Sequence, residues 1–194
     1  VDPESMIKSY GADSVRWFIL SDSPPEKDVL WSNQGVNAAY KFLQKIYNLN
    51  NLILNRSDKK PLKDEEFEIK FNNFILRTTE LINNFHLNVV IANIYSIYSL
   101  FMNYLGEDIS NKCLKKNFSN LLKILIPFTP HLAYECLEQQ GEDKVDQWPE
   151  INAKVVLGEK IKIAIQINGK TREIIEIKKD LNEKEAINES KKYD

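Results

Sequence analysis

The spacing of apolar residues changes once along this chain of 194 residues, and that change limits the fold more than any other feature. Up to Pro149, apolar residues recur three, four and seven positions apart, which is the spacing of one face of an α-helix. From Ile161 onward, isoleucines at odd positions alternate with small or polar residues, the period-two pattern of a half-buried strand. The pattern predicts a mainly α-helical bundle followed by a small α+β unit with a β-hairpin.

Capping residues and prolines divide the first part into seven predicted helices. Asp2 followed by Pro3 favours a helix start, because the carboxylate caps N–H groups and proline supplies a helical φ. Ser32 and Ser110 are typical caps of two further helices. The predicted helices cover about residues 3–10, 12–21, 32–55, 65–84, 88–105, 110–127 and 130–138. We expect the third helix to bury the apolar set Val36, Tyr40, Leu43, Tyr47 and Leu54.

The second part predicts one hairpin and the start of a helix. We expect strands on both sides of Asn168-Gly169 and a polar helix from Asn182, a unit too small to be stable alone. Burial of the isoleucines should outweigh turn preference, so odd residues should oppose odd residues. That register requires a three-residue loop with Gly169 at positive φ. A two-residue turn would instead place Ile161 opposite Glu176 and Ile165 opposite Arg172.

Composition excludes several classes of protein. The formal net charge is −2, so any contact with nucleic acid must rest on local patches. The two cysteines, Cys113 and Cys136, are far apart, which favours a reducing compartment and argues against a disulfide framework or a zinc site. No apolar run reaches the roughly 18 residues of a membrane span. We expect a cytoplasmic monomer without membrane contact. The lack of an initiator Met and of a signal peptide indicates a piece of a longer protein.

Two places carry side chains suited to RNA. On the third helix, Lys41 and Lys45 lie in a polar stripe, where lysines would meet phosphates while amides bond sugar or phosphate oxygens. At the hairpin tip, Asn168, Lys170 and Arg172 flank a glycine, a combination that phosphate recognition uses. A solvated face and a plain turn are the respective alternatives. The complete stripe is Asn37, Lys41, Gln44, Lys45, Asn48, Asn51 and Asn55.

Other basic and aromatic residues are more ambiguous. Trp17 and Trp31 have rings that can stack on bases, but aromatic residues inside a helical bundle usually belong to the core. His131 lies at a predicted helix start, where we expect a structural hydrogen bond. A further predicted basic helix face contains Lys112, Lys115, Lys116 and Lys123.

Four segments resemble class I aminoacyl-tRNA synthetases, and they occur in the same order. Residues 10–16 (YGADSVR) resemble the segment that follows the K-M-S-K-S loop, and residues 24–36 (PPEKDVLWSNQGV) are similar to the leucyl branch. Residues 127–135 (PFTPHLAYE) resemble a helix pair of the anticodon-binding bundle. Residues 166–172 (QINGKTR) are similar to a hairpin of the leucyl C-terminal domain. Together they resemble leucyl-tRNA synthetases of the bacterial or organellar type.

The resemblance implies a division of the chain and a role. Residues 1–31 would join the bundle to a catalytic core, residues 32–149 would form the anticodon-binding-like bundle, and residues 150–194 would begin the C-terminal tRNA-binding domain. The full enzyme ligates leucine to tRNA(Leu) with ATP and Mg²⁺, using H-I-G-H and K-M-S-K-S motifs that do not occur here. We therefore expect this piece to be inactive alone, to hold no cofactor or metal, and to contact tRNA(Leu), not DNA, by shape and backbone.

The chain also departs from the family pattern. Asn72 and Asn73 stand where the family often has His-Lys, and Lys45 stands where arginine is usual. Two alternatives stay open. One is a helical protein-interaction module without an RNA role, which the net charge of −2 would fit. The other is the same bundle from a valyl or isoleucyl enzyme, against which the segment at residues 24–36 speaks.

Overall fold

The protein is mainly α-helical and forms two compact units, residues 1–150 and residues 151–194. The first unit contains α1 (Pro3–Tyr10), α2 (Ala12–Asp22), α3 (Asn33–Asn55), α4 (Asp64–Asn83), α5 (Leu87–Tyr104), α6 (Asn111–Leu125) and α7 (Pro130–Gln140). The second contains β1 (Lys160–Ile167) and β2 (Lys170–Lys178). The computed structural model describes residues 2–145, 147–151, 160–167 and 170–178, the last two ranges by their backbone. Within that part of the chain, no helix is both long enough and apolar enough to cross a membrane.

Side-chain caps fix the starts of three helices, as the sequence predicts. Asp2 accepts from the backbone N–H groups of Glu4 and Ser5 at 3.2 and 3.1 Å. Ser32 Oγ accepts from an N–H in the first turn of α3, and Ser110 Oγ does the same for α6. Each cap satisfies a donor that the helix itself leaves unpaired, which contributes about 1 kcal/mol.

Aromatic rings form two parts of the core of the first unit. The indole of Trp17 is fully buried, its ring lies 5.4 Å from that of Phe42, and its Nε1 donates to the hydroxyl of Tyr95 at 3.2 Å. Farther along the bundle, the ring of Phe101 meets those of Phe67 and Phe118 edge-on at 5.0 and 5.4 Å. Edge-to-face contacts suit the ring quadrupole, so these rings fix how the helices pack in addition to burying apolar area.

The buried face of α3 differs in part from the predicted one. Val36 and Leu43 are buried as expected, but Tyr40 and Tyr47 are 38% and 37% exposed, so the prediction of an apolar tyrosine face is wrong. The helix instead buries a set of aliphatic and aromatic side chains on the adjacent side of its axis. That set is Ala39, Phe42, Ile46, Leu49 and Ile53. Tyrosine is amphipathic, and both tyrosines lie at the edge of the buried face, where the hydroxyl can stay hydrated.

A polar contact that we call the α2 clamp joins residues more than 110 positions apart. The carboxylate of Asp13 accepts from the N–H of Leu132 at 2.8 Å and lies 2.9 Å from Nδ1 of His131, at the start of α7. The guanidinium of Arg16 donates to the carbonyls of Pro127 and Phe128, at 2.6 and 3.2 Å, just after α6 ends. An anion therefore faces a helix N-terminus and a cation faces carbonyls at a C-terminus, the arrangement that helix dipoles favour.

The connection between α2 and α3 is fixed by Phe18. Its ring packs edge-on against that of Trp31, with 5.4 Å between the ring centroids. A Cβ at position 35 would lie 2.4 Å from the Phe18 ring, so only glycine fits there without displacing it. The indole Nε1 of Trp31 donates to Asn33 Oδ1 at 2.8 Å. The Trp-Ser-Asn-Gln-Gly segment therefore shapes the start of α3.

In the second unit, β1 pairs with β2 in antiparallel orientation. Ile161 lies opposite Ile177 and Ile163 opposite Ile175, so odd residues oppose odd residues away from the turn. The pairing continues to Ile167 and Lys170, which makes the expected three-residue loop wrong.

The odd-to-odd register arises from a shift in the ladder instead. Ile165 pairs with Glu173 whereas Gln166 pairs with Thr171, which leaves Arg172 as the extra residue of a β-bulge. A bulge changes the register by one residue without changing the length of the turn. Odd residues can therefore oppose odd residues even when the loop has two residues. Gly169 and the predicted helix from residue 182 lie outside the described residues.

Candidate nucleic-acid interface

The outer face of α3 carries the predicted polar stripe. Asn37 and Asn51 are half-buried and the other members are exposed. No described carboxylate forms an ion pair with Lys41 or Lys45. The two ammonium groups lie one helical turn apart, so they can meet successive phosphates. We call Asn37, Lys41, Gln44, Lys45, Asn48, Asn51 and Asn55 the α3 outer face.

A groove borders this face on the side of α2 and α7. Its volume is about 430 Å³, and its wall combines tyrosine rings with amide groups. The rings of Tyr10 and Tyr40 stand edge-to-face, with centroids 6.2 Å apart. We define the tyrosine groove by Tyr10, Tyr40, Gln44, Tyr47 and Asn48. The groove is not evident from the sequence, because tyrosines at helical spacing are usually core residues. The available signal is the pair of tyrosines seven positions apart beside a polar stripe.

A buried hydrogen-bond network supports one wall of the groove. Asn50 is fully buried, and its Nδ2 donates to Gln139 Oε1 at 2.7 Å. Gln139 in turn donates from Nε2 to the hydroxyl of Tyr47 at 3.2 Å and to Glu135 at 2.7 Å. Gln140 donates back to Asn50 Oδ1 at 2.9 Å, so α3 and α7 are joined in both directions. The hydroxyl of Tyr47 is therefore linked through the exposed Gln139 to the buried amide of Asn50.

Two of the four lysines on the predicted basic face of α6 form ion pairs. Lys116 pairs with Glu68 at 2.8 Å, and Lys123, whose side chain is 11% exposed, pairs with Glu142 at 3.4 Å. Lys112 is exposed. Because these carboxylates offset the positive charge, the α6 face is a weaker candidate for phosphate contact than the α3 outer face.

A second set of lysines is held by Glu66. Hydrogen bonds from Lys70, Tyr104 and Lys63 lower the pKa of Glu66 to about 2, with the Lys70 contact at 2.8 Å contributing most. The same contact raises the pKa of Lys70. This exposed cluster braces α4 against α5, and its lysines are already paired.

The hairpin residues can be placed only by backbone. Lys170 begins β2, and Arg172 is the bulged residue. Asn168 lies outside the described residues.

Neither Trp17 nor Trp31, the two tryptophans whose rings could have stacked on bases, is exposed. Trp17 is fully buried, and the ring of Trp31 packs on Phe18. The predicted structural hydrogen bond of His131 is present, to Asp13.

The described part of the chain contains neither a reactive thiol nor a cluster of metal ligands. Burial raises the pKa values of both cysteine thiols, Cys113 and Cys136, to about 12, so neither is a nucleophilic thiolate at neutral pH. Within the described residues, no group of three or more His, Cys, Asp or Glu side chains could hold a metal ion.

Comparison with known proteins identifies the family. Residues 64–187 match the family described as the anticodon-binding domain of tRNA ligase. The leucine–tRNA ligase of Fusobacterium nucleatum is 34% identical over 93% of this chain and 23% of its own length. That of Neorickettsia sennetsu is 34% identical over 99% of this chain, again 23% of its own length.

A solved structure agrees with these relatives. The LeuRS of Agrobacterium radiobacter K84 agnB2, crystallised as a ternary complex with tRNA and LeuAMS, has a TM-score of 0.79 and 25% identity. The likeness covers 98% of this chain and 26% of that one, so this chain spans about a quarter of the proteins it matches. From these matches we conclude that the chain belongs to the anticodon-binding domain family of tRNA ligases.

Proposed function

We propose that this chain is the tRNA-binding part of a leucine–tRNA ligase, an enzyme that joins leucine to tRNA(Leu) at the expense of ATP. The observation that carries the proposal is the likeness to leucine–tRNA ligases over nearly the whole chain. The similar solved structure, a LeuRS in complex with tRNA, supports the proposal.

The α3 outer face would provide the main contact in the bundle. Lys41 and Lys45 would neutralise phosphates, and the amides between them would bond sugar and phosphate oxygens. Such contacts position an RNA without reading its sequence. Recognition would therefore depend on the shape and backbone of the tRNA.

The remaining parts would divide the work as the resemblance implies. Residues 1–31 would transmit the position of the bundle to the catalytic core, where ATP and Mg²⁺ would act on leucine. Residues 150–194, with the hairpin, would begin a small α+β domain that meets tRNA through Asn168, Lys170 and Arg172. The protein would act as a cytoplasmic monomer with no membrane contact.

Salt dependence separates this proposal from a protein-interaction module. Each phosphate contact releases counterions, so the logarithm of the tRNA association constant should fall steeply with the logarithm of salt concentration. Replacing Lys41 and Lys45 by Ala should weaken binding and reduce that slope by about 2.

The matched control removes two exposed lysines elsewhere, Lys27 and Lys60, and so changes the net charge equally. This control should leave the slope within error of the wild type. Salt-independent binding, or equal effects of the two double variants, would contradict the proposal.

A further inference from the structure

The outer surface of α3 is graded in chemistry across its width. At about 100° per residue, side chains seen along the helix axis fall into three parallel strips. Tyr40 and Tyr47 lie next to the buried face on one side, and Lys41 and Lys45 lie on the other side. Gln44 and Asn48 lie between them.

The tyrosine strip offers open ring area. Tyr40 and Tyr47 each keep more than a third of their surface exposed, and both border the tyrosine groove. In the edge-to-face pair of Tyr10 and Tyr40, one ring meets the other with its edge, so the pair leaves ring surface uncovered. A planar base can stack on such a surface whatever its identity.

The charges around the groove favour a ligand with a defined direction. Asp13 borders the groove, but its oxygens are occupied by the N–H of Leu132 and by His131. Glu135 lies on the tyrosine side, bonded to Gln139. The unpaired cations lie on the opposite side, at Lys41 and Lys45. An anion is thus favoured over the lysine strip and disfavoured beside α7.

A nucleotide has this polarity. We propose that the tyrosine groove and the α3 outer face together bind an unstacked nucleotide of the RNA, which lies across α3. Its phosphate meets Lys41 and Lys45, its base stacks on Tyr40 or Tyr47, and Gln44 or Asn48 bonds a base edge. The inference rests on the proposed function and extends it, since it assigns a base-binding role to a surface otherwise expected to contact only backbone.

The Asn50 network gives this site its rigidity. A stacking platform loses less entropy on binding when its ring is already held in place. Tyr47 is held through Gln139 by a fully buried amide, which a solvated surface tyrosine would not need. We therefore assign Asn50 and Gln139 as positioning residues.

The test compares three RNA probes on the whole chain by fluorescence anisotropy. They are a short single-stranded oligoadenylate, an abasic chain with the same number of phosphates, and an RNA duplex. The wild type should bind oligoadenylate at least about five times more tightly than the abasic chain, the lower end of the effect of one stacked base. The duplex should show no such gain over the abasic chain.

The variants distinguish stacking from a structural effect. Tyr40→Leu should lose the preference for bases, while Tyr40→Phe keeps it, because only the second retains an aromatic ring. Tyr134→Leu is the matched control, since Tyr134 is 48% exposed on α7 outside the groove. Thermal melting of each variant checks the fold, and Tyr47→Leu gives an independent second position.

Each outcome bears on one of the two proposals. Equal binding of oligoadenylate and abasic chain by a wild type that binds tRNA would overturn the nucleotide site and leave the proposed function standing. An equal effect of Tyr40→Leu and Tyr134→Leu would do the same. If the wild type binds no RNA at all, the proposed function fails, and the nucleotide site fails with it.

Discussion

The α2 clamp and the α3 outer face are both polar surfaces of the first unit, but their polar side chains have different partners. In the clamp, the charged groups of Asp13 and Arg16 form hydrogen bonds with backbone groups near the start of α7. On the α3 outer face, Lys41 and Lys45 have no described carboxylate within ion-pair distance. Satisfied charges hold a structure together, whereas charges without a partner inside the protein are available to a ligand.

The segments that resemble the family and the surface proposed to bind RNA lie in different parts of the first unit. The segments at residues 10–16 and 127–135 carry two of the clearest resemblances, and in the structure they bind each other. The surface proposed to meet RNA lies on α3, where only the first residues belong to a resembling segment. The residues of these two motifs thus stabilise the packing of the helices, and the proposed binding surface lies on a different helix.

The largest expected effect comes from the clamp. Replacing Asp13 by Ala should lower the free energy of unfolding by about 2 kcal/mol, because α7 loses the acceptor at its N-terminus and the part-buried N–H of Leu132 loses its partner. Urea denaturation followed by circular dichroism measures it. Asp22→Ala, at the exposed end of α2, is the control and should change stability by less than about 0.5 kcal/mol. Equal effects of the two substitutions would show that the clamp is not structural.

The Asn50 network lies between the two surfaces and should have a smaller effect. Asn50→Leu keeps the branched shape of the side chain but removes the hydrogen bonds that Asn50 makes with Gln139 and Gln140, which should cost about 1–2 kcal/mol. It should also weaken binding of oligoadenylate by displacing Tyr47. Leu62→Ala, in the connection between α3 and α4 and 71% exposed, is a control that should leave RNA binding unchanged. Unaltered stability and binding in Asn50→Leu would remove the positioning role.

The pH dependence of stability tests the ion pairs that Glu66 forms with Lys63 and Lys70. The pKa of Glu66 is lowered to about 2, so its contribution to stability is present above its ordinary value of 4.5 and is lost as pH falls towards 2. In Glu66→Gln, the loss of stability between those pH values should be less steep than in the wild type. Thermal melts across that pH range provide the measurement, and identical pH profiles would contradict the assignment.

The smallest effect is expected for His131. Its side chain is 78% exposed, and among the described residues its hydrogen-bond partner is Asp13, so His131→Ala should change the free energy of unfolding by less than about 1 kcal/mol. Differential scanning calorimetry is sensitive enough to test this. A loss as large as that of Asp13→Ala would mean that the imidazole, and not the N–H of Leu132, is the main partner in the clamp.

How much the sequence could predict depended on whether the deciding interaction was local. The caps at Asp2, Ser32 and Ser110 act within one helical turn, and they were predictable for that reason. The clamp joins positions more than 110 residues apart, which no local pattern contains. The hairpin register was set by a bulge at Arg172, an alternative that parity alone does not reveal.

The sequence predicts the lysines and amides of the candidate site but not its tyrosines. Polarity at helical spacing identified the lysines and amides, and their exposure follows from it. The tyrosines were assigned to the core because hydrophobicity alone does not show which edge of an amphipathic helix is covered. That edge is decided by how α2 and α7 pack on α3, so it could not be known before the fold.

The central claim is that RNA binds on the α3 outer face and the adjoining tyrosine groove. Ultraviolet cross-linking of the chain to tRNA(Leu), followed by mass spectrometry of the linked peptides, tests it most directly. The account predicts nucleotide adducts on the α3 peptide that contains Tyr40 and Tyr47, and none on Tyr134, the exposed tyrosine of α7. Adducts that map to α7 or α6 while the α3 peptide stays unmodified would contradict the account.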